Sequence, residues 1–327
     1  MSAHPTHVWF DGAIVPWADA RVHVSTATVL RGANVFEGIR AYWNADEREL
    51  YIFRNSEHLT RLGNSAKIMR MKVPWTAEQL TRAEIDVLRA NAFKGTVWFR
   101  LTLYLGEEER TGATETATVG GFILPRLSPH GKGVTEGVDS CVSTWTRITD
   151  ASMPPRVKAG ANYHNSGFAW MESYLGGYSG QPIMLNERGK VSEGPGACVV
   201  VVRGDRLITP PVTANILESI TRTTVLELAR DAGIPAEERE VDRTELYIAD
   251  EAFFCGSGAE IIPINSVDHY PVGTGRPGPL TRRLQSLYFS VVEGRVARYR
   301  DWLTPVYNTA GRRPPEDAAP KAAPRST

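Results

Sequence analysis

The sequence predicts a two-domain protein, an α+β unit followed by an α/β unit. Three observations carry that expectation. The chain has 327 residues, more than the ~250–300 at which a single hydrophobic core stops growing. The stretch Pro125 to Gly137 (PRLSPHGKGVTEG) is rich in Pro, Gly and polar residues and has no hydrophobic period, as befits a linker. On both sides of it, β-prone runs alternate with segments of helical spacing. The expected boundaries are 1–125 for a small α+β domain, 126–137 for the interdomain linker, 138–307 for a larger α/β domain and 308–327 for a disordered tail.

The elements follow in order. His7 to Trp17 (HVWFDGAIVPW) carries aromatic and β-branched residues around Asp11-Gly12, which predicts a hairpin. Ala41 to Phe53 places a polar turn between two further β-prone runs. Ser56 to Met71 has helical spacing, with Leu59, Leu62, Ala66 and Met69 three or four residues apart. Thr76 and Gln79 have capping-box spacing ahead of a stripe of Leu80, Ala83, Val87 and Leu88. Thr96 to Leu105 and Thr118 to Leu124 read as strands. Beyond the linker, short apolar runs at Cys141 to Trp145, Pro182 to Leu185, Ala197 to Val202 and Glu251 to Cys255 are interleaved with helices. One of these, Ser219 to Ala232, is ended by Gly233 and Pro235. The tail from Asn308 has almost no large apolar side chain to order it.

Composition excludes several classes of function. Lys plus Arg (37) equal Asp plus Glu (37), so there is no excess of cations to neutralise nucleic-acid phosphates. The longest uninterrupted apolar stretch, Ala197 to Val202, is far short of the roughly 20 residues a membrane-spanning helix needs. The N-terminus lacks the basic-then-apolar pattern of a secretory signal, so the expected location is cytoplasmic, with no membrane partner. Three scattered cysteines (141, 198, 255) and seven scattered histidines offer no disulfide framework and no metal-ligand spacing.

Only seven of the 37 basic residues are lysines, and six have bland surroundings. Lys158 differs, because it lies in VKAGANY, where small neighbours admit a planar ligand and Tyr163 follows five residues later. Alone it would read as a solvated surface lysine. Downstream, Glu193 sits among turn formers in VSEGPG, just before a Val-rich strand. A carboxylate held there suits a protonated heterocyclic nitrogen. Further on, Leu217-Glu218-Ser219-Ile220-Thr221-Arg222 opens a helix whose first amides suit a phosphate.

Together these segments resemble the class IV, fold-type IV pyridoxal-phosphate aminotransferases (the D-amino-acid aminotransferase-like fold), and most closely the branched-chain amino-acid aminotransferases. The resemblance covers nearly the whole chain. It runs through WFDG (9–12), VFEGIRAY (35–42), EHLTRLGNSAKIM (57–69), KAGANY (158–163), VSEGPG (191–196), ITR (220–222), LYIADEAFF (246–254), GRPGPLTRRLQ (275–285) and DWL (301–303). It implies that Lys158 is the catalytic Schiff-base lysine and general base, and that Glu193 pairs with the pyridine nitrogen. It implies too that Tyr163 lies beside the ring oxygen, and that Arg61, Ile220, Thr221 and Ser257 hold the phosphate. Candidate substrate contacts are Arg31, Phe36, Arg40, Trp98, Arg100 and Gly258, with Phe99 adding to an apolar wall. The family is at least dimeric, with partner-subunit loops completing each pocket, so a homodimer or larger homo-oligomer is expected.

The departures from the family pattern concern substrate. Arg31 stands where the branched-chain enzymes have Tyr, Trp98 replaces the Tyr of YIRP, and GPGEN has become GPGAC. The arginine matching Arg100 holds the distal carboxylate of glutamate or 2-oxoglutarate in the family, so that acceptor is expected. Arg31 either adds a cation to the pocket and favours a more polar amino acid, or turns outward to an acidic neighbour. D-amino-acid or amine transamination, aminodeoxychorismate lysis and a non-catalytic ligand-binding role remain alternatives. A hydrolase does not fit, since no GxSxG elbow is present.

Overall fold

A computed structural model of the chain describes residues 4–108 and 112–308; the expected disordered tail therefore falls, except for Asn308, outside the described residues. The first sheet holds β1 (His7–Phe10), β2 (Ala13–Pro16), β3 (Asn34–Asn44), β4 (Glu49–Phe53), β5 (Val97–Leu105) and β6 (Val119–Leu127). The expected hairpin forms β1 and β2, paired antiparallel around Asp11 and Gly12, both at positive φ. Between these strands lie α1 (Ala27–Arg31), α2 (Asn55–Ile68) and α3 (Ala77–Ala90). The capping box of α3 is formed in both directions, Gln79 N–H donating to Thr76 Oγ1 at 3.3 Å and Thr76 N–H to Gln79 Oε1 at 2.8 Å.

The chain crosses to the second unit between β6 and β7 (Val138–Ser140), and that crossing includes a short helix, α4 (Lys132–Glu136). After it come α5 (Asn162–Leu175), β8 (Cys198–Arg203), β9 (Arg206–Thr209), α6 (Ile220–Asp231), β10 (Ala236–Glu238), α7 (Arg243–Leu246), β11 (Glu251–Gly256), β12 (Glu260–Val267), β13 (Tyr270–Pro271) and α8 (Pro279–Val292). The second sheet runs β10-β9-β8-β11-β12-β13, with β7 added beside β12. The apolar runs 141–145 and 182–185 are not strands but meet through a single bridge, Val142 to Ile183. One segment of the expected second domain departs from it: β14 (Leu303–Pro305) pairs antiparallel with β4 at the edge of the first sheet.

Central β3 is almost wholly buried, including Glu37 and Arg40. This removes the polar-apolar alternation by which a strand is recognised, which explains why its first half, Asn34 to Arg40, gives no strand signal in the sequence. One apolar core lies beneath α2 and α3. A second joins the two units, packing Tyr42, Tyr51 and Phe53 of the first sheet against β8, β11, α6 and α8. Tyr42 Oη and Tyr288 Oη meet there at 3.1 Å. Among the described residues no helix is long and apolar enough to cross a membrane, and no group of three or more metal-ligating side chains is present.

Glu84 of α3 is fully buried, receives one hydrogen bond from Asn55 Nδ2 at 2.6 Å, and leaves Oε1 without a partner. Burial pushes its carboxyl up to about 8, against the smaller opposing pull of the Asn55 bond. The folded state thus holds a proton that the unfolded chain releases near 4.5, and stability falls as pH rises from there to about 8. Glu84→Gln should remove this loss, making the protein more stable by about 3 kcal/mol at pH 7, at about 1.36 kcal/mol per pH unit. The gain should vanish towards pH 4.5. Urea unfolding at several pH values checks this, and a pH-independent difference would contradict it.

Candidate active site

A cavity opens where the first sheet, the 154–163 segment and the N-terminal end of α6 converge. The 158–160 segment is fixed against β3 by backbone contacts and against α2 through Ser65. Phe36 N–H donates to Lys158 O at 2.8 Å, Gly160 N–H to Asn34 O at 3.2 Å, and Lys158 N–H to Ser65 Oγ at 3.1 Å. Gly160 is required by this approach, since a Cβ there would meet Asn34 Oδ1 at 2.6 Å. Docked this way, Lys158 Nζ donates to Tyr163 Oη at 2.7 Å and lies 5.0 Å from the centre of the Phe36 ring. Lys158, Tyr163 and Phe36 all line the cavity.

Glu193 lines the same cavity although only 4% exposed. Its Oε1 accepts from Arg147 Nε at 2.9 Å and Leu217 N–H at 3.1 Å, with Arg147 Nη2 at 2.8 Å. Its Oε2 is met only by the Cys198 thiol at 3.7 Å. Burial holds that thiol well above its usual range, so it stays protonated.

Arg61 also lines the cavity. It forms a fork with Glu37, Nε to Oε1 at 2.7 Å and Nη2 to Oε2 at 2.6 Å, while Nη1 donates to Glu218 O at 2.8 Å. Glu37 is fully buried and also meets His58 Nδ1 at 2.7 Å. Burial pushes its carboxyl up, but the Arg61 charge and the Arg61 and His58 hydrogen bonds outweigh that and hold it at about 2. Ser219 caps α6 by accepting from Arg222 N–H at 3.3 Å, leaving the Ile220 and Thr221 amides free of intrahelical partners. Leu217 and Ser219 line the cavity, whereas the Ile220 and Thr221 side chains do not. Ser257 and Gly258 close it from the β11–β12 turn.

These groups match the pyridoxal phosphate that the resemblance implies. An amine faces a phenol, a buried carboxylate that lines the cavity has one oxygen met by a thiol at 3.7 Å, and free helix-start amides lie near a guanidinium. The donor set suits an aldehyde, a protonated ring nitrogen and a phosphate respectively.

Four residues expected at the substrate pocket, Arg31, Arg40, Phe99 and Arg100, do not line the cavity, and for Arg31 this is the outward one of its two expected orientations. Arg31, at the C-terminal end of α1, pairs with Glu108 and does not line the cavity; a carboxylate 77 residues away offers it an ion pair outside. Arg40 is buried and donates to the carbonyls of Ser257 (2.8 Å), Gly258 (3.1 Å) and Ser128 (2.8 Å), so it braces the turn that carries Ser257 rather than facing the cavity. Phe99 is fully buried in the first core, on the strand face opposite to Trp98. Trp98 does line the cavity, its indole 3.0–3.3 Å from where a Gly38 Cβ would stand. Arg100 stacks on the Phe36 ring at 3.6 Å and donates to Thr102 Oγ1 at 3.3 Å. Burial lowers its pKa from the ordinary guanidinium value.

Glu37, His58, Arg147, Cys198, Leu217 and Ser219 were not singled out as individual site residues in the sequence, although Ser219 fell within the helix start. Glu37 and His58 do lie inside the VFEGIRAY and EHLTR segments, but their 21-residue separation follows no spacing rule. Arg147 carries no local signal at all.

Comparison with known proteins agrees with this geometry. The family model for amino-transferase class IV matches residues 34–267. A probable branched-chain-amino-acid aminotransferase of Aquifex aeolicus (strain VF5) is 36% identical over 301 residues, 92% of this chain and 96% of that protein. The branched-chain-amino-acid aminotransferase of Escherichia coli (strain K12) is 36% identical over 305 residues, 92% of this chain and 97% of that one. The branched-chain amino acid aminotransferase of Thermobaculum terrenum in its PLP-form superimposes with a TM-score of 0.86 at 45% identity, covering 93% of this chain and 99% of that one. With such coverage in sequence and in fold, this chain belongs to the class IV aminotransferases.

Proposed function

We propose that this pyridoxal-phosphate-dependent aminotransferase moves the amino group of a branched-chain aliphatic amino acid to 2-oxoglutarate. The observation that carries the reading is the Lys158 amine, 2.7 Å from the Tyr163 phenol, in one cavity with the buried Glu193 carboxylate. Phe36, Trp98, Pro195, Ala197 and Leu217 give the cavity an apolar wall, which suits an aliphatic side chain. With Arg31 engaged by Glu108, nothing on that wall favours a polar one.

The bound cofactor supplies an electron sink that acidifies the substrate Cα–H. Lys158 would be the base, its Nζ holding and moving the substrate Cα proton once the cofactor is bound. The Tyr163 hydroxyl orients that amine and would serve as the partner of the cofactor's ring oxygen. Glu193 would hold the ring nitrogen, with Oε2 available to accept from it. Arg61, the Ile220 and Thr221 amides and the Ser257 hydroxyl would hold the phosphate, and Gly258 would leave room for the substrate carboxylate. Each turnover needs two amino-group transfers, so the same residues act in both directions.

Arg100 makes no ion pair among the described residues and is the candidate for the distal carboxylate of 2-oxoglutarate. Arg100→Met should raise KM for 2-oxoglutarate about 10- to 100-fold, the scale of a lost charged hydrogen bond, and change KM for the 2-oxo acid of leucine no more than about 2-fold. Equal effects on both acids would contradict this role.

A homodimer is supported by the exposed apolar face of α5, where Phe168, Met171, Tyr174 and Leu175 are 54–76% exposed and Trp145 stacks on Phe168. A cytoplasmic location is supported by three buried free thiols. The function is tested by the visible spectrum of the loaded protein on addition of leucine, glutamate, alanine and a simple chiral amine in turn. Bleaching by leucine and glutamate is expected; bleaching by the amine alone, or by alanine only when it is added as the D enantiomer, would replace this reading with amine or D-amino-acid transamination.

A further inference from the structure

We infer that Arg147 is a positioning residue that keeps the shared proton on the cofactor's ring nitrogen rather than on Glu193. The inference rests on the reading that Glu193 faces that nitrogen. A carboxylate and a pyridine nitrogen sharing one proton have two arrangements, a neutral acid beside a neutral ring or an ion pair. The two differ only in whether an O–H or an N–H bond is made. In a site as closed as this one, with Glu193 4% exposed, desolvation favours the neutral arrangement. A neutral ring is a poor electron sink, so the site needs something to oppose desolvation.

Arg147 opposes it. Its guanidinium is 6% exposed and approaches one carboxylate oxygen twice, Nε at 2.9 Å and Nη2 at 2.8 Å. A permanent cation at that distance stabilises the charged carboxylate and leaves the proton to the nitrogen. The geometry keeps the two functions apart: Arg147 and the Leu217 amide occupy Oε1, while Oε2 is left to the cavity and the weak Cys198 thiol donor. Arg147 Nη1 is buried without a hydrogen-bond partner. A cation placed only for stability would be expected to satisfy all its donors, whereas this one is aimed at Glu193.

The test loads the protein with pyridoxal phosphate carrying 15N in the ring and reads the 15N NMR shift, which separates protonated from unprotonated nitrogen without turnover. Wild type and Arg147→Lys should both show a protonated nitrogen. Arg147→Met should move the shift to the unprotonated range, and Glu193→Gln should do so with Arg147 in place. For Arg147→Met, kcat should fall about 10- to 100-fold, as for other outer partners of a site ligand, with KM little changed. If Arg147→Met does not fold, Arg147→Gln serves in its place. A protonated shift in the neutral variant overturns the inference while leaving transamination untouched. A wild-type protein that binds no pyridoxal phosphate would overturn the underlying reading instead.

Discussion

Lys158→Ala is expected to lose transamination by at least about 10²- to 10⁴-fold, the contribution of a positioned general base, with the attachment of the cofactor lost in addition. The loss should fall on kcat. Lys158 makes no ion pair that the fold depends on: its side chain meets Tyr163 Oη and the Phe36 ring, and the segment is held by its backbone. Thermal unfolding should therefore change little. The phosphate and ring-nitrogen partners remain, so pyridoxal phosphate should still bind without a covalent link. Steady-state rates with leucine and 2-oxoglutarate, read beside the unfolding temperature, check both halves. A variant with normal activity would reject the proton-transfer role, and one that fails to fold would mean that the amine is structural.

Arg61→Leu is expected to damage stability and cofactor affinity together, for two separable reasons. The substitution strands Glu37, a fully buried carboxylate whose charge Arg61 answers with two hydrogen bonds. Breaking one side of such a pair costs about 3–5 kcal/mol. In the parent, Glu37 titrates near 2 when folded against 4.5 ordinarily. Its contribution to stability is therefore complete above 4.5 and is lost as pH falls through about 2. Without Arg61 its folded value should rise, and the acid loss should turn into a loss at neutral pH. Adding Glu37→Gln should restore most of the stability, because the stranded charge is gone. It should not restore pyridoxal-phosphate affinity, because the guanidinium at the phosphate is still missing. Denaturant unfolding and cofactor titration of the single and double variants separate the two effects. Affinity recovered by the double variant would show that Arg61 acts only through Glu37.

The sequence reveals most readily what depends on neighbours along the chain. The Asp11-Gly12 hairpin, the Thr76–Gln79 capping box and the stripe of α3 are each set within a few residues, and all three form as their spacing predicts. Residues that act across the fold are not legible in this way. Glu37, His58 and Arg61 become one charge cluster only when α2 packs on β3. For Arg31 the sequence leaves two orientations open, because nothing adjacent shows that Glu108 will claim it. Arg40 lies in a motif segment, yet its guanidinium is spent on carbonyls 88 to 218 residues away. Of the residues placed by resemblance, Lys158, Tyr163, Glu193, Arg61, Phe36, Trp98, Ser257 and Gly258 line one cavity. Arg147, which pairs with Glu193, lies outside every quoted motif.

On the proposed function, Lys158 is the residue to which pyridoxal phosphate attaches. The most direct measurement is borohydride reduction of the loaded protein followed by peptide mass mapping. The predicted result is a single pyridoxyl-phosphate mass on the peptide that carries Lys158, absent from Lys158→Ala. A label on one of the other six lysines, or no label on a yellow and active protein, would contradict it.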